Sequence, residues 1–264
     1  MSSIPLSHDR HGAYRWKRFD GYEFAATTTL VPLAANEVTR AALSLPLAFA
    51  ENGEGWTMAA VMGFVPGENL LVGANGSWIA SYTPAALRAY PFRNGWNERV
   101  EPILCVDEAS GLIVEGSEGE AFFEADGRLS AAVQQVWDFL QVLAKGEVAL
   151  VRASNLLHKA GLVVPWPISF DTDAGKQHVK GLYRIDEAAM NALDDARFGE
   201  LRRAGVIGLA YAQLLSMANL TDLGQLALAR AQAEAAKRAQ AEVKPLITLP
   251  DDSTIDWDWS KVGR

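Results

Sequence analysis

The feature that most constrains this chain is the run at residues 63–92, GFVPGENLLVGANGSWIASYTPAALRAYPF, because chain-reversal signals crowd into it. Pro66-Gly67 reads as the centre of a tight turn, with proline presetting φ and glycine accepting the positive φ that follows. Asn75-Gly76 is a hairpin signal, since both central residues of a type I′ turn need φ > 0. Tyr82-Thr83-Pro84 starts a helix, with a hydroxyl at the cap and proline in the first helical position. Together these marks predict a hairpin followed by a helix. They do not specify a reaction.

Around that run the pattern predicts three successive antiparallel strands at 56–65, 69–73 and 77–81, then a helix over 83–90 stopped by Pro91. Upstream, 27–33 and 45–50 read as strands around a short helix at 34–43, with a turn at Asn52-Gly53. Residues 93–97 read as a loop, and 102–106 and 120–124 as further strands. After residue 128 the period changes. Leu129, Val133, Val136, Leu140 and Leu143 recur at helical spacing. Gly146 is expected to end that helix and Gly161 a second one over 147–159. Two prolines force 163–168 to be extended, and 179–185 reads as a strand. Asp186 caps a helix, further helices follow at 194–204 and 206–217, and 220–243 gives the longest helical signal.

The expected class is therefore α+β: an antiparallel β-meander in the N-terminal half, packed with a mainly helical C-terminal half that ends in a long helix. Residues 1–13 are expected to be a mobile tail and 14–245 a single domain. Residues 246–264 are expected to be an extension whose Ile255, Trp257 and Trp259 alternate with acids as a docked edge strand does.

A net charge of −8 argues against nucleic acid, whose binding needs phosphates neutralised by Lys and Arg. Cys105, the only cysteine, forms no intrachain disulfide and lies in an apolar run that suits an inert core thiol. No stretch approaches the ~20 apolar residues needed to span a bilayer. The N-terminus lacks the apolar core of a secretory signal, so the expected location is cytoplasmic.

The search for chemistry returns little. GxSxG, GxGxxG, GxxxxGK[ST] and CxxC are absent, so no catalytic residue and no cofactor is expected. His158 and His178 with a carboxylate could hold a metal, which leaves a metal-dependent enzyme as an alternative. What remains is aromatic: Trp78, Tyr82, Tyr90, Phe92 and Trp96, beside Arg88 and Arg93, with Glu68 and Asn69 at the rim. This set reads either as a core cluster or as a groove receiving an extended peptide, a glycan or a carboxylate.

The same residues carry a resemblance. Gly67-Glu68-Asn69-Leu70, Gly76-Ser77-Trp78 and the stretch from Tyr82 to Phe92 resemble the SapC family of bacterial proteins. Further matches are LCVD at 104–107, GEAFFEADG at 119–127, GLYRIDE at 181–187 and YAQLLSM at 211–217. The family takes its name from a surface-layer-associated protein, not from the membrane permease of the same label. The resemblance supplies no catalytic residues. It implies a non-catalytic accessory protein that binds a peptide or protein partner, linked to peptide modification or uptake. A surface-layer component is the other role it suggests. Oligomeric state stays open.

Overall fold

The computed structural model describes residues 3–53, 55–99, 101–172 and 175–242. The first part of the chain holds β1 (Ser3–Pro5), α1 (His8–His11), β2 (Arg15–Trp16), β3 (Leu30–Pro32), α2 (Val38–Ala42), β4 (Leu47–Glu51) and β5 (Trp56–Val61). After an irregular stretch come α3 (Ala85–Arg88), β6 (Phe92–Trp96), β7 (Pro102–Asp107), β8 (Ile113–Val114) and β9 (Glu120–Ala121). The rest comprises α4 (Ala131–Lys159), β10 (Val163–Pro165), β11 (Ser169–Thr172), β12 (Gly175–His178), β13 (Tyr183–Ile185), α5 (Glu187–Asn191), α6 (Asp195–Arg203), α7 (Ile207–Ser216) and α8 (Leu220–Glu242). The class is α+β, with antiparallel sheets early, helices late and a long final helix. Residues 1–227 form one compact unit, and a second begins at Leu228. In that second unit, side chains 231–240 are exposed.

The main sheet runs β10-β13-β4-β5-β3, every pair antiparallel. β5 is buried at all six residues, so its sequence, WTMAAV, is a continuous run rather than an alternation. β13 and β4 touch in register at Tyr183 and Phe49 alone. Two residues further on, where Ile185 would face Leu47, side chains of α7 replace the ladder. Gln213 accepts from Ile185 N–H at 2.9 Å and donates to Leu47 C=O at 3.1 Å. Ser216 Oγ accepts from Leu47 N–H at 3.1 Å and donates to the Gln213 carbonyl at 2.6 Å. The fully buried polar pair in YAQLLSM thus completes a sheet that has split.

α4 is the spine of the molecule. Val133, Leu140 and Leu143 enter a core with Trp16, Phe92, Leu104, Val106 and Phe122, beneath the β1-β7-β6 sheet. Leu150 and Leu157 enter the larger core around β4 and β5. Between the two lies Gly146, which does not end a helix: α4 runs through it unbroken for 29 residues. The reason is contact rather than conformation. A Cβ there would come within 2.7 Å of Ala34 Cβ, and the Gly146 carbonyl accepts from Ala35 N–H at 3.1 Å. Gly161 and Gly205 do end helices, each at positive φ, with the next residue bonding back as in a Schellman motif (Leu162 to Leu157, Val206 to Leu201).

Three further expectations are corrected. Residues 3–11 are built in rather than a free tail: β1 pairs with β7, and His11, 1% exposed, bonds Glu108 at 3.0 Å. Residues 92–96 are a strand, not a loop. Asn94 is tied to the Leu140 carbonyl at 2.9 Å, and bare Gly95 leaves room for Cys105 Sγ. The segments 69–73 and 77–81 meet only at the isolated bridge Val72–Trp78, because the Asn69 side chain takes the Leu71 N–H at 2.9 Å. The proposed edge strand of residues 246–264 lies outside the described residues.

Two substitutions test this architecture by thermal denaturation. Gly146→Ala would add about 1 kcal/mol of helix propensity on an open face. Here it lowers Tm, because Ala34 must move. Gln213→Leu keeps the volume but strands two buried backbone groups, costing on the order of 2–4 kcal/mol. An unchanged Tm in either variant contradicts the role given to that residue.

Candidate functional site

β3 is one of the two edge strands of the main sheet, opposite β10. Its bonds inward alternate: the Thr29 carbonyl accepts from Met62 N–H at 2.8 Å, and Leu33 N–H donates to the Met58 carbonyl at 3.1 Å. Residues 29, 31 and 33 therefore face β5, and the N–H and C=O of Leu30 face away from it. Pro32 brings no N–H to the same edge.

Against this edge lies a cavity of about 350 Å³, walled by Thr28, Leu30, Val31 and Pro32 on one side. Ala86, Leu87, Tyr90, Phe92 and Arg93 form the other side, with Phe24 also lining it. The Phe24 and Tyr90 rings stack with centroids 3.9 Å apart and planes 5° apart. Phe19 sets its edge against both. The Tyr90–Pro91 peptide is cis. Burial pushes the Tyr90 phenol up, with nearby Asp107 adding to the effect and Arg93 opposing it. Burial likewise pushes the Cys105 thiol up, against Arg93, which leaves it in the unreactive protonated form at neutral pH.

Glu37 sets the position of that second wall. It is buried, and its Oε1 accepts from Ala34 N–H at 2.9 Å. Its Oε2 accepts from the Tyr82 hydroxyl and from Ala85 N–H, each at 2.7 Å. Ala85 is the first residue of α3, so the cap predicted for Thr83 is supplied instead by a carboxylate 48 residues earlier. Pro84 holds the cap position at φ −53°. Burial, then the Glu37 hydrogen bond, pushes the Tyr82 phenol up to about 12. A small cleft of about 170 Å³ beside Glu37 is lined by Arg40, Tyr82, Arg88 and Phe139. Arg88 there lies over the Tyr82 and Phe139 rings, 5.8 and 5.4 Å from their centroids.

The residues singled out from sequence are thus distributed over several places. Tyr90, Phe92 and Arg93 line the cavity on β3, whereas Tyr82 and Arg88 line the cleft at Glu37. Asn69 is fully buried and donates to the Ala25 carbonyl at 3.0 Å, and Glu68 follows Gly67 in a turn closed at 3.1 Å onto Val65. Trp78 packs on Tyr22 and donates to the Tyr82 carbonyl at 2.9 Å. Trp96, 63% exposed, sits at the end of β6. Sequence reasoning missed Phe24, Thr28, Leu30 and Glu37. The aromatic spacing Phe19, Tyr22, Phe24 was a usable signal, but nothing local marked Glu37. The turns at 65–68 and 73–76 form, the second with Ala74-Asn75 at its centre and Gly76 at φ +75° after it.

For a metal, His158 stacks face to face on Trp56 at 4.4 Å and His178 lies exposed on β12. Among the described residues no group of three His, Cys, Asp or Glu is placed to hold an ion. Nor is any single described helix long and apolar enough to cross a membrane.

A family model described as SapC matches residues 6–223. Comparison with curated proteins and with solved structures found no match.

The Tyr82–Glu37 bond has a pH signature. A phenol raised to about 12 contributes stability that is fully present below the ordinary value of 10.0 and is lost as pH rises through the folded value. An ultraviolet phenolate titration should show Tyr82 ionising late, and Tyr82→Phe should remove that last step. Loss of an early step instead would contradict the assigned bond.

Proposed function

The chain belongs to the SapC family, and from that premise we propose that it is a binding protein without chemistry of its own, whose ligand is an extended peptide segment. The observation that carries this reading is the outward N–H and C=O of Leu30, set over a cavity lined by Phe24, Tyr90 and Phe92. An extended segment adding to β3 gains backbone hydrogen bonds from Leu30, and the cavity selects one side chain. Its lining favours a large apolar or aromatic residue, and Arg93 at the same wall favours a neighbouring carboxylate. Pro32 limits the pairing to a short stretch and discourages open-ended sheet growth. Such a protein would present peptides to other proteins that modify or import them.

The test separates backbone from packing. Leu30→Pro removes the outward N–H together with the leucine side chain, leaving the bonds of residues 29, 31 and 33 to β5. Leu30→Ala loses the side chain but keeps the donor. Against peptides selected from a random library, Leu30→Pro should weaken binding about tenfold relative to Leu30→Ala. Equal affinities for the two variants, or peptides that compete with nothing at this edge, would refute strand addition.

A further inference from the structure

A second cavity, of about 450 Å³, lies between the main sheet and α4. Pro32 and Thr57 reach it from the sheet, Asn52 from the turn after β4, and Glu147, Val148, Val151 and Arg152 from the helix. Glu147 is half-buried, and Val148 beside it is 52% exposed, so the apolar wall of the cavity opens to solvent at that residue. Among the described residues, neither Glu147 nor Arg152 has a hydrogen bond or an oppositely charged partner. They also do not pair with each other. Five residues apart on a helix, they are about 7.5 Å apart along the axis and off the i,i+4 line on which such pairs close.

Glu147 has a specific electrostatic need. Burial pushes its carboxyl above the usual carboxylate range, and the neighbouring Glu37 pushes it further. All three donors at Glu37 are neutral groups, Ala34 N–H, Ala85 N–H and the Tyr82 hydroxyl, and the cations nearest it, Arg40 and Arg88, line the cleft on its Tyr82 side rather than the cavity at Glu147. A cation arriving from outside at Glu147 removes both penalties. At the other end of the cavity the Arg152 guanidinium offers a planar fork suited to a carboxylate. Val148, Val151 and Pro32 between them form an apolar wall, with the Thr57 hydroxyl beside it.

We propose that this cavity binds a free α-amino acid, its ammonium held by Glu147 and its carboxylate by Arg152, with the side chain against Val148 and Val151. The site is separate from the peptide cavity in every charged residue, so either can fail alone. A chain that receives peptides on β3 would in this way also sense the free amino acids those peptides yield.

The experiment is a calorimetric and thermal-shift screen of the folded protein with the common free amino acids, up to about 10 mM. One or more should raise Tm and bind, while the N-acetyl and carboxamide derivatives of the same amino acid should not. Glu147→Gln and Arg152→Met should each weaken binding about tenfold or more. Leu30→Pro should leave it unchanged. Folding of the variants is checked without ligand. Glu147→Gln should melt no lower than the parent at pH 7, because the group's raised folded pKa makes its charge a cost above its unfolded value and not below it. No binding by any amino acid, equal binding of the N-acetyl form, or affinity unaltered in both variants would overturn the proposal.

Discussion

Much of this structure depends on one buried carboxylate. Glu37 sits where β3 turns into α2, and all its hydrogen bonds run to backbone or a phenol rather than to a cation. Burying such a group is costly unless each oxygen is used, and here each is. One oxygen closes the turn at Ala34, where the chain crosses Gly146 at the midpoint of α4. The other fixes Tyr82 and the first turn of α3, and so positions Leu87, Tyr90 and Phe92 across from β3. The distance between the sheet edge and its facing wall is therefore set by a side chain in neither.

The same economy governs three of the residues that carry the family resemblance. Asn69, Trp78 and Gln213 each give their polar atoms to backbone outside a regular ladder: Ala25 and Leu71, Tyr82 four residues on, and the Leu47–Ile185 gap. These are places where the fold departs from regular ladders, and a polar side chain must supply what the backbone cannot. A signature of this kind marks a framework. It leaves the cavity on β3 to be built from ordinary residues, Thr28, Leu30, Leu87 and Phe24, that carry no motif.

That division explains what was legible in the sequence. Turn chemistry acts locally, so Pro66-Gly67, Gly161, Gly205 and the cap at Asp186 read correctly. Apolar spacing likewise marked the first half of α4 and the start of α8. Gly146 misled because its role is to let Ala34 approach, a fact of tertiary contact that local pattern does not contain. β6 was hidden for the same reason: FRNGW has weak strand propensity, and pairing with β7 overrides it. The aromatic and arginine run at 78–96 was read as one surface, yet the turn at α3 sends its members to two separate hollows. Tyr90, Phe92 and Arg93 stay together in one, and Tyr82 and Arg88 in the other.

The central claim is that β3 offers its outward backbone to an extended ligand. Amide hydrogen exchange at Leu30, followed residue by residue with and without a bound peptide, addresses it most directly. In the free protein that amide should exchange quickly while those of Val31 and Leu33, bonded to β5, exchange slowly. On peptide binding, Leu30 should become protected and its neighbours should change little. Protection of Leu30 already present without ligand, or exchange unaltered by a peptide that binds, would contradict the account.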